Sequence, residues 1–104
     1  MTQRFRVRLL PKAKAELEVI ERWWALHRRA HPDLVSEELA EAADILATAP
    51  EAGLEFAPGR RLGMRRILLP RSRYHLYYRV IHEERSVEVI AIWHAARGKG
   101  PPLR

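Results

Sequence analysis

Residues 74–94 read "YHLYYRVIHEERSVEVIAIWH", and the reading of this stretch decides the fold. Tyr74, Leu76, Tyr78 and Val80 alternate with His75, Tyr77, Arg79 and Ile81, the two-residue period of a half-buried strand. "EERS" (83–86) turns the chain. The next segment, ending at His94, is apolar on both faces from Val89 to Trp93, as a strand in the middle of a sheet is. The pair predicts an antiparallel hairpin whose second strand is central.

Outward from the hairpin, "MRRILLP" (64–70) predicts a third strand, ended by Pro70 and turned by Arg71–Arg73. "EAGLEFAPGRRLG" (51–63) reads as a loop with Pro58-Gly59 as its turn signal. Its "PGRRLG" lacks the length and the Lys-Ser/Thr ending of a phosphate-binding loop. At the other end of the chain "RFRVRLL" (4–10) alternates Phe5, Val7 and Leu9 with Arg4, Arg6 and Arg8, which predicts a strand whose arginines track phosphates or face solvent.

After Pro11 the period becomes helical to about Arg29. Ala13, Leu17, Ile20 and Trp24 form the apolar stripe, and Val19, Trp23 and Leu26 widen it. Lys12, Glu16, Glu18, Glu21 and Arg22 supply most of the polar face. "PDLVSEELAEAADILATAP" (32–50) predicts a second helix, Leu39, Ala42, Ala43 and Leu46 inward, Glu37, Glu38, Glu41 and Asp44 mostly outward. The order β-α-α-β-β-β predicts a single α+β domain over residues 1–104, a helix hairpin packed on a curved, mostly antiparallel sheet.

Composition narrows the function classes. In 104 residues, 47% hydrophobic and 31% charged is ordinary globular composition, and the absence of cysteine excludes disulfides and thiolate metal sites. No signal-peptide core or apolar run of membrane-spanning length occurs, so a soluble, cytoplasmic domain without a membrane partner is expected. Residues 1–55 hold eight Lys/Arg against ten Asp/Glu, a balance of −2, whereas residues 56–104 hold eleven against three, +8. That asymmetry points to an anionic partner, or to arginine used as a generic surface residue. His27 and His31 have the spacing of two ligands on one helix face, but no third ligand is in reach by sequence, so neither a metal nor a cofactor is expected.

From about Arg4 to Arg97 the chain resembles the RelE/ParE family of toxins from bacterial toxin–antitoxin pairs. The resemblance rests on "AKAELEVIERWW", the "ATAPEAG" helix exit, "GMRRILL", "YHLYYRV" and "VEVIAIWHAARG", in that order and spacing. It implies a cytoplasmic growth-inhibiting toxin of the plasmid-stabilisation type. A co-encoded antitoxin would neutralise it, in a heterotetramer or larger complex, by wrapping the toxin and burying apolar groove surface. Trp23, Trp24, Leu26 and Trp93 are the candidates for that contact. Aromatic residues at helical spacing also serve a core, but adjacent Trp23 and Trp24 cannot both point into one, so one of them is expected to be partly exposed.

The family divides between poisons of DNA gyrase and ribosome-dependent messenger RNA endoribonucleases. For RNA cleavage, Arg66 matches a basic site and His75 stands where Arg is typical. His94 falls on a basic position and Arg97 on a further arginine. Leu68 and Ala95 occupy two other basic sites, and near the expected C-terminal aromatic the chain has only "GPPLR". The catalytic set is depleted, with His75, His94, Arg66 and Arg97 as its substitute. Gyrase inhibition needs no acid–base set, and Arg65, Arg66, Arg73, Arg79, His94 and Arg97 suffice as target contacts. The resemblance therefore leans toward gyrase, with the ribonuclease as alternative and a non-toxic basic nucleic-acid-binding module behind both. Strand alternation groups His94 with Ile92 and Ile90, and Trp93 with Ala91 and Val89. The preferred assignment puts Trp93 in the core and His94 on the functional face.

Overall fold

The computed structural model describes residues 4–56, 63–97 and 101. Strand β1 (Arg6–Leu9) leads into helix α1 (Pro11–His27), which hairpins into α2 (Leu34–Thr48). Then follow β2 (Leu54–Glu55), β3 (Met64–Leu68), β4 (Tyr74–Ile81) and β5 (Ser86–His94), the last continued by a single 3-10 turn, Ala95–Arg97. The sheet order is β1-β5-β4-β3-β2, with β1 parallel to β5 and every other pair antiparallel. The α+β architecture is the predicted one, and β5 is central.

Local chemistry accounts for the element ends. Pro11 opens α1 at a position where its missing N–H costs nothing. The α1 ladder closes with the Arg28 N–H on the Trp24 carbonyl, and His31 and Arg28 bond across the short connection to α2. Helix α2 is tied to α1 by the Ser36 hydroxyl, which donates to Glu21 at 2.7 Å.

Beneath the helices lies the main core. Ala13, Val35, Leu46, Leu69, Tyr78 and Val87 belong to it, with Leu17, Ile20 and Trp24 packed against its edge. Each large aliphatic side chain fully buried there contributes roughly 1.5–3 kcal/mol. The other face of the sheet carries a smaller cluster of Phe56, Met64, Tyr77 and Ala91, flanked by Ile90 and Trp93.

Four readings of the sequence are corrected. The 51–63 loop contains β2, a two-residue strand too short to have a period, paired Leu54 to Arg66 and Glu55 to Arg65. Pro58-Gly59 and most of "PGRRLG" lie outside the described residues. Glu38 is buried, not outward: its carboxylate accepts the backbone N–H groups of Arg71 and Ser72, both at 2.8 Å. Glu16 is half-buried and accepts the Ile92 N–H at 2.9 Å, pinning α1 to the end of β5. Gly53 is also a fixed point. Its N–H donates to the Tyr78 hydroxyl at 2.9 Å, and a Cβ there would sit 2.6 Å from both that oxygen and the Arg66 carbonyl.

The fourth correction concerns the last strand. Tyr77 pairs with Ala91 and Tyr78 with Val89, so Ile90 is an extra residue, a bulge that breaks the alternation. Val89 and Ile92 both belong to the helix-side core, whereas Ile90, Ala91 and Trp93 belong to the opposite cluster. Residues 90 and 92, predicted to share a face, do not.

Candidate groove and sheet-face sites

Where the C-terminal half of α1 crosses the ends of β4 and β5, the structure leaves an open groove of about 720 Å³. Val19, Ile20, Trp23 and Trp24 of α1 form one wall, and Tyr74 and Ile92 contribute from the sheet. The floor is apolar because its polar groups serve one another: the Trp24 indole N–H donates to the Tyr74 hydroxyl at 3.3 Å, and Glu16 is bonded to the Ile92 N–H. The rim carries Arg28, Arg71 and Arg97, with His94 beside them. Trp23 is 42% exposed, and just beyond the groove Leu26 is 69% exposed.

Each rim guanidinium is held without a carboxylate. Arg28 lies over the Trp23 ring at 5.0 Å, Arg97 lies 3.7 Å over the Trp93 ring, and Arg71 reaches the His31 ring nitrogen at 3.3 Å. Among the described residues none of the three makes a salt bridge. Arg71 is fixed from below. Its turn is clamped by Glu38, whose carboxyl burial pushes up; the hydrogen bonds from Ser72 and Arg71 outweigh burial and hold it below its ordinary value of 4.5.

The opposite face of the sheet is differently built. Arg8 and Arg79 both bind Glu88, the Arg79 Nε at 3.0 Å, and the Arg8 hydrogen bond leads in holding that buried carboxyl below its ordinary value. Arg66 lies over the Phe56 ring at 5.3 Å and donates to the Tyr77 hydroxyl at 3.4 Å. His75 pairs across the strands with Trp93. Burial first, then the charges of Arg66 and Arg73, hold its imidazole below the ordinary 6.5, so it is neutral at pH 7.

Residues 7–98 match the family model described as the ParE toxin of the type II toxin–antitoxin system parDE. The chain belongs to the ParE toxin family. It is a type II toxin of RelE/ParE kind. The fold agrees with two solved structures. A chain of the chromosomal ParDE toxin–antitoxin system from P. aeruginosa is 19% identical with a TM-score of 0.67, covering 86% of this chain and 95% of its own. A chain of the RelBE2 toxin–antitoxin complex from Mycobacterium tuberculosis is 21% identical with a TM-score of 0.63, covering 92% and 97%. No curated protein sequence matches the chain.

In this ParE-family chain the residues singled out by sequence do not converge. Arg66 and His75 stand on the face away from the helices. His94 pairs with Tyr74, packs edge-on against that ring at 4.9 Å on the helix side, and accepts the Ala96 N–H on Nδ1 at 3.1 Å. The preferred assignment is therefore reversed, with Trp93 on the sheet face away from the helices and His94 at the groove. Arg97 sits past the strand end and reaches both regions.

Of the other basic candidates, Arg65 donates to the Gly53 carbonyl at 2.7 Å, Arg79 is paired, and Arg73 is exposed. Trp23, Trp24 and Leu26 belong to the α1 side, while Trp93 lies across the sheet from them. The His27 Nδ1 is bonded to the Trp23 carbonyl and His31 to Glu37, so the two rings do not share a ligand direction. Arg28 and Arg71 were missed. A signal existed for Arg28, four residues after Trp24 on the same helix flank; for Arg71, in a turn, there was none.

Proposed function

We propose that this ParE-family member is the growth-inhibiting half of a toxin–antitoxin pair, that it acts on DNA gyrase in the cytoplasm, and that a co-encoded antitoxin silences it in a heterotetramer or larger complex. One observation carries the choice of target: His75 and His94 stand on opposite faces of the sheet. Cleavage through a ribose 2′-hydroxyl needs a base for that hydroxyl and an acid for the leaving 5′-oxygen, both within hydrogen-bond reach of one phosphate. A base on one face and a candidate acid on the other cannot serve the same bond. Arginines stabilise phosphate charge but do not give up a proton at neutral pH. Gyrase inhibition places no such demand, and Arg66, Arg73, His94 and Arg97 remain available as contacts around the strand ends. Arg65 and Arg79, already bonded to the Gly53 carbonyl and to Glu88, drop out of that set.

The ribosome-dependent ribonuclease reading retains one specific support. His75 is neutral, hence able to accept a proton, and has Arg66 near it. The separating experiment is a supercoiling assay on purified gyrase with ATP. Accumulated cleaved DNA or lost supercoiling is expected at micromolar protein. Unaffected gyrase together with cut messenger RNA on stalled ribosomes would replace the reading with its alternative. Unchanged growth on expression, with steeply salt-dependent nucleic-acid binding, would replace both with a non-toxic binding module.

A further inference from the structure

We infer that His94 is a positioning residue: it caps the 3-10 turn Ala95–Arg97 and so sets the Arg97 guanidinium at the strand end where the target is met. The inference deepens the proposed function, taking from it only that Arg97 contacts the target.

The backbone of the turn comes first. A helical turn begins with N–H groups that have no partner inside it, and a single turn has little else to hold it. Here the first two are both satisfied. The Ala95 N–H donates to the Arg73 carbonyl at 2.8 Å, which ties the turn to the connection between β3 and β4. The Ala96 N–H donates to His94 Nδ1 at 3.1 Å. His94 directly precedes the turn, so this is the bond that a capping side chain makes to the second helical residue.

The His94 ring is aimed for that bond. It meets the ring of its cross-strand partner, Tyr74, edge-on at 4.9 Å, and the Tyr74 hydroxyl is held in turn by the Trp24 indole N–H at 3.3 Å. A backbone amide can only donate, so Nδ1 carries no proton and the neutral ring carries its proton on Nε2. The lone pair that a general base would use is therefore taken by Ala96, and the N–H of a neutral imidazole is a poor acid. The geometry suits holding the turn better than moving a proton.

What the turn delivers is Arg97. The guanidinium reaches round the strand end to lie 3.7 Å over the Trp93 ring, and it makes no salt bridge among the described residues. Arg97 is the third residue of the turn, so slackening the turn moves the guanidinium off the ring. A cap on the helix side of β5 thus governs a cation that lies on a ring of the other side. Fixing a contact group before the target arrives lowers the ordering cost of binding.

The test rests on which ring nitrogen matters. The side-chain oxygen of Asn falls near the place of imidazole Nδ1 and caps well, whereas that of Gln falls near Nε2 and caps poorly. His94→Asn and His94→Gln are compared in the full chain, both checked for unchanged melting. By NMR, the Ala96 amide should exchange about five-fold faster in His94→Gln, and the Arg97 Nε–H should lose the upfield shift that a ring face imposes. His94→Asn should keep both near the parent values.

Growth inhibition is the second readout. The expression level needed for arrest should rise about five-fold in His94→Gln and stay within about two-fold of the parent in His94→Asn. The double His94→Gln, Arg97→Gln variant should be no weaker than Arg97→Gln alone, because a residue that acts only through Arg97 has no further effect once Arg97 is gone.

Unchanged Ala96 exchange in His94→Gln would overturn the cap. Equal loss of inhibition in the Asn and Gln variants, or additive losses in the double variant, would overturn positioning and make His94 a direct contact. A parent chain that leaves growth unaffected refutes the toxin reading, and the Ala96 and Arg97 signals then decide the cap by themselves.

Discussion

The two sides of the sheet use arginine in opposite ways. Away from the helices, Arg8 and Arg79 close on Glu88, and Arg66 is laid over Phe56 beneath Tyr77. At the groove, Arg28 lies on the Trp23 ring and Arg71 on a clamped turn, while Arg97 reaches from the groove to the Trp93 ring across the strand end. Both sets come from the same arginine-rich composition. The net charge of +6 counts them alike, so charge alone could not say which set is built to meet a partner. Pairing can. A guanidinium with a buried carboxylate, as Arg8 and Arg79 have in Glu88, is part of the fold, whereas Arg28, Arg66, Arg71 and Arg97 make no salt bridge among the described residues.

The contrast extends to stability. Leu46 is fully buried under the helices, and Leu46→Ala should cost about 3–4 kcal/mol in urea unfolding. Met64, buried in the smaller cluster, should cost about 2 kcal/mol as Met64→Ala; equal losses would mean that both faces carry the fold equally.

Glu38→Ala strips the acceptor from two backbone donors and should cost about 2–3 kcal/mol. A loss well under 1 kcal/mol would show that the carboxylate does not hold the Arg71–Ser72 turn.

Glu88→Gln should cost about 1 kcal/mol, less because the guanidiniums of Arg8 and Arg79 regain water. Glu38 and Glu88 both have folded-state carboxyls below their ordinary 4.5, so folding holds them ionised. Their contribution is complete above that value and is lost as pH falls through the lower folded values. Chemical denaturation between pH 7 and 3 should therefore show stability level to about pH 5 and declining below it, less steeply in Glu88→Gln. A rise on acidification would contradict these assignments. The smallest change in stability is expected for Arg28→Gln, within about 0.5 kcal/mol, because Arg28 is exposed and makes no salt bridge among the described residues.

Much of this was legible before any coordinates. Sequence patterning placed six of the seven helices and strands near their observed ends, all but β2, and the doubly apolar run at 89–93 marked β5 as an interior strand. The adjacent tryptophans divided as their geometry requires, Trp23 outward and Trp24 half-buried.

What escaped had local causes. The two residues of β2 exist as a strand only through pairing with β3. The bulge at Ile90 leaves no mark in a run that is apolar on both faces, and it decided which way His94 and Trp93 point. Glu38 was misread as outward on its residue type, though it falls midway between buried Leu34 and Ala42 at four-residue steps. Its position carried the signal and its charge concealed it. Arg71 gained meaning only when the turn met Glu38 and the groove.

The separation of the two histidines is the point on which the functional account turns, and His75→Asn tests it most directly. Growth inhibition and messenger RNA integrity would be followed after induction of the variant and the parent chain. The account predicts undiminished inhibition and intact transcripts in both. Loss of inhibition in His75→Asn, together with transcript cleavage by the parent that the variant cannot perform, would contradict it and make His75 the base of a ribonuclease.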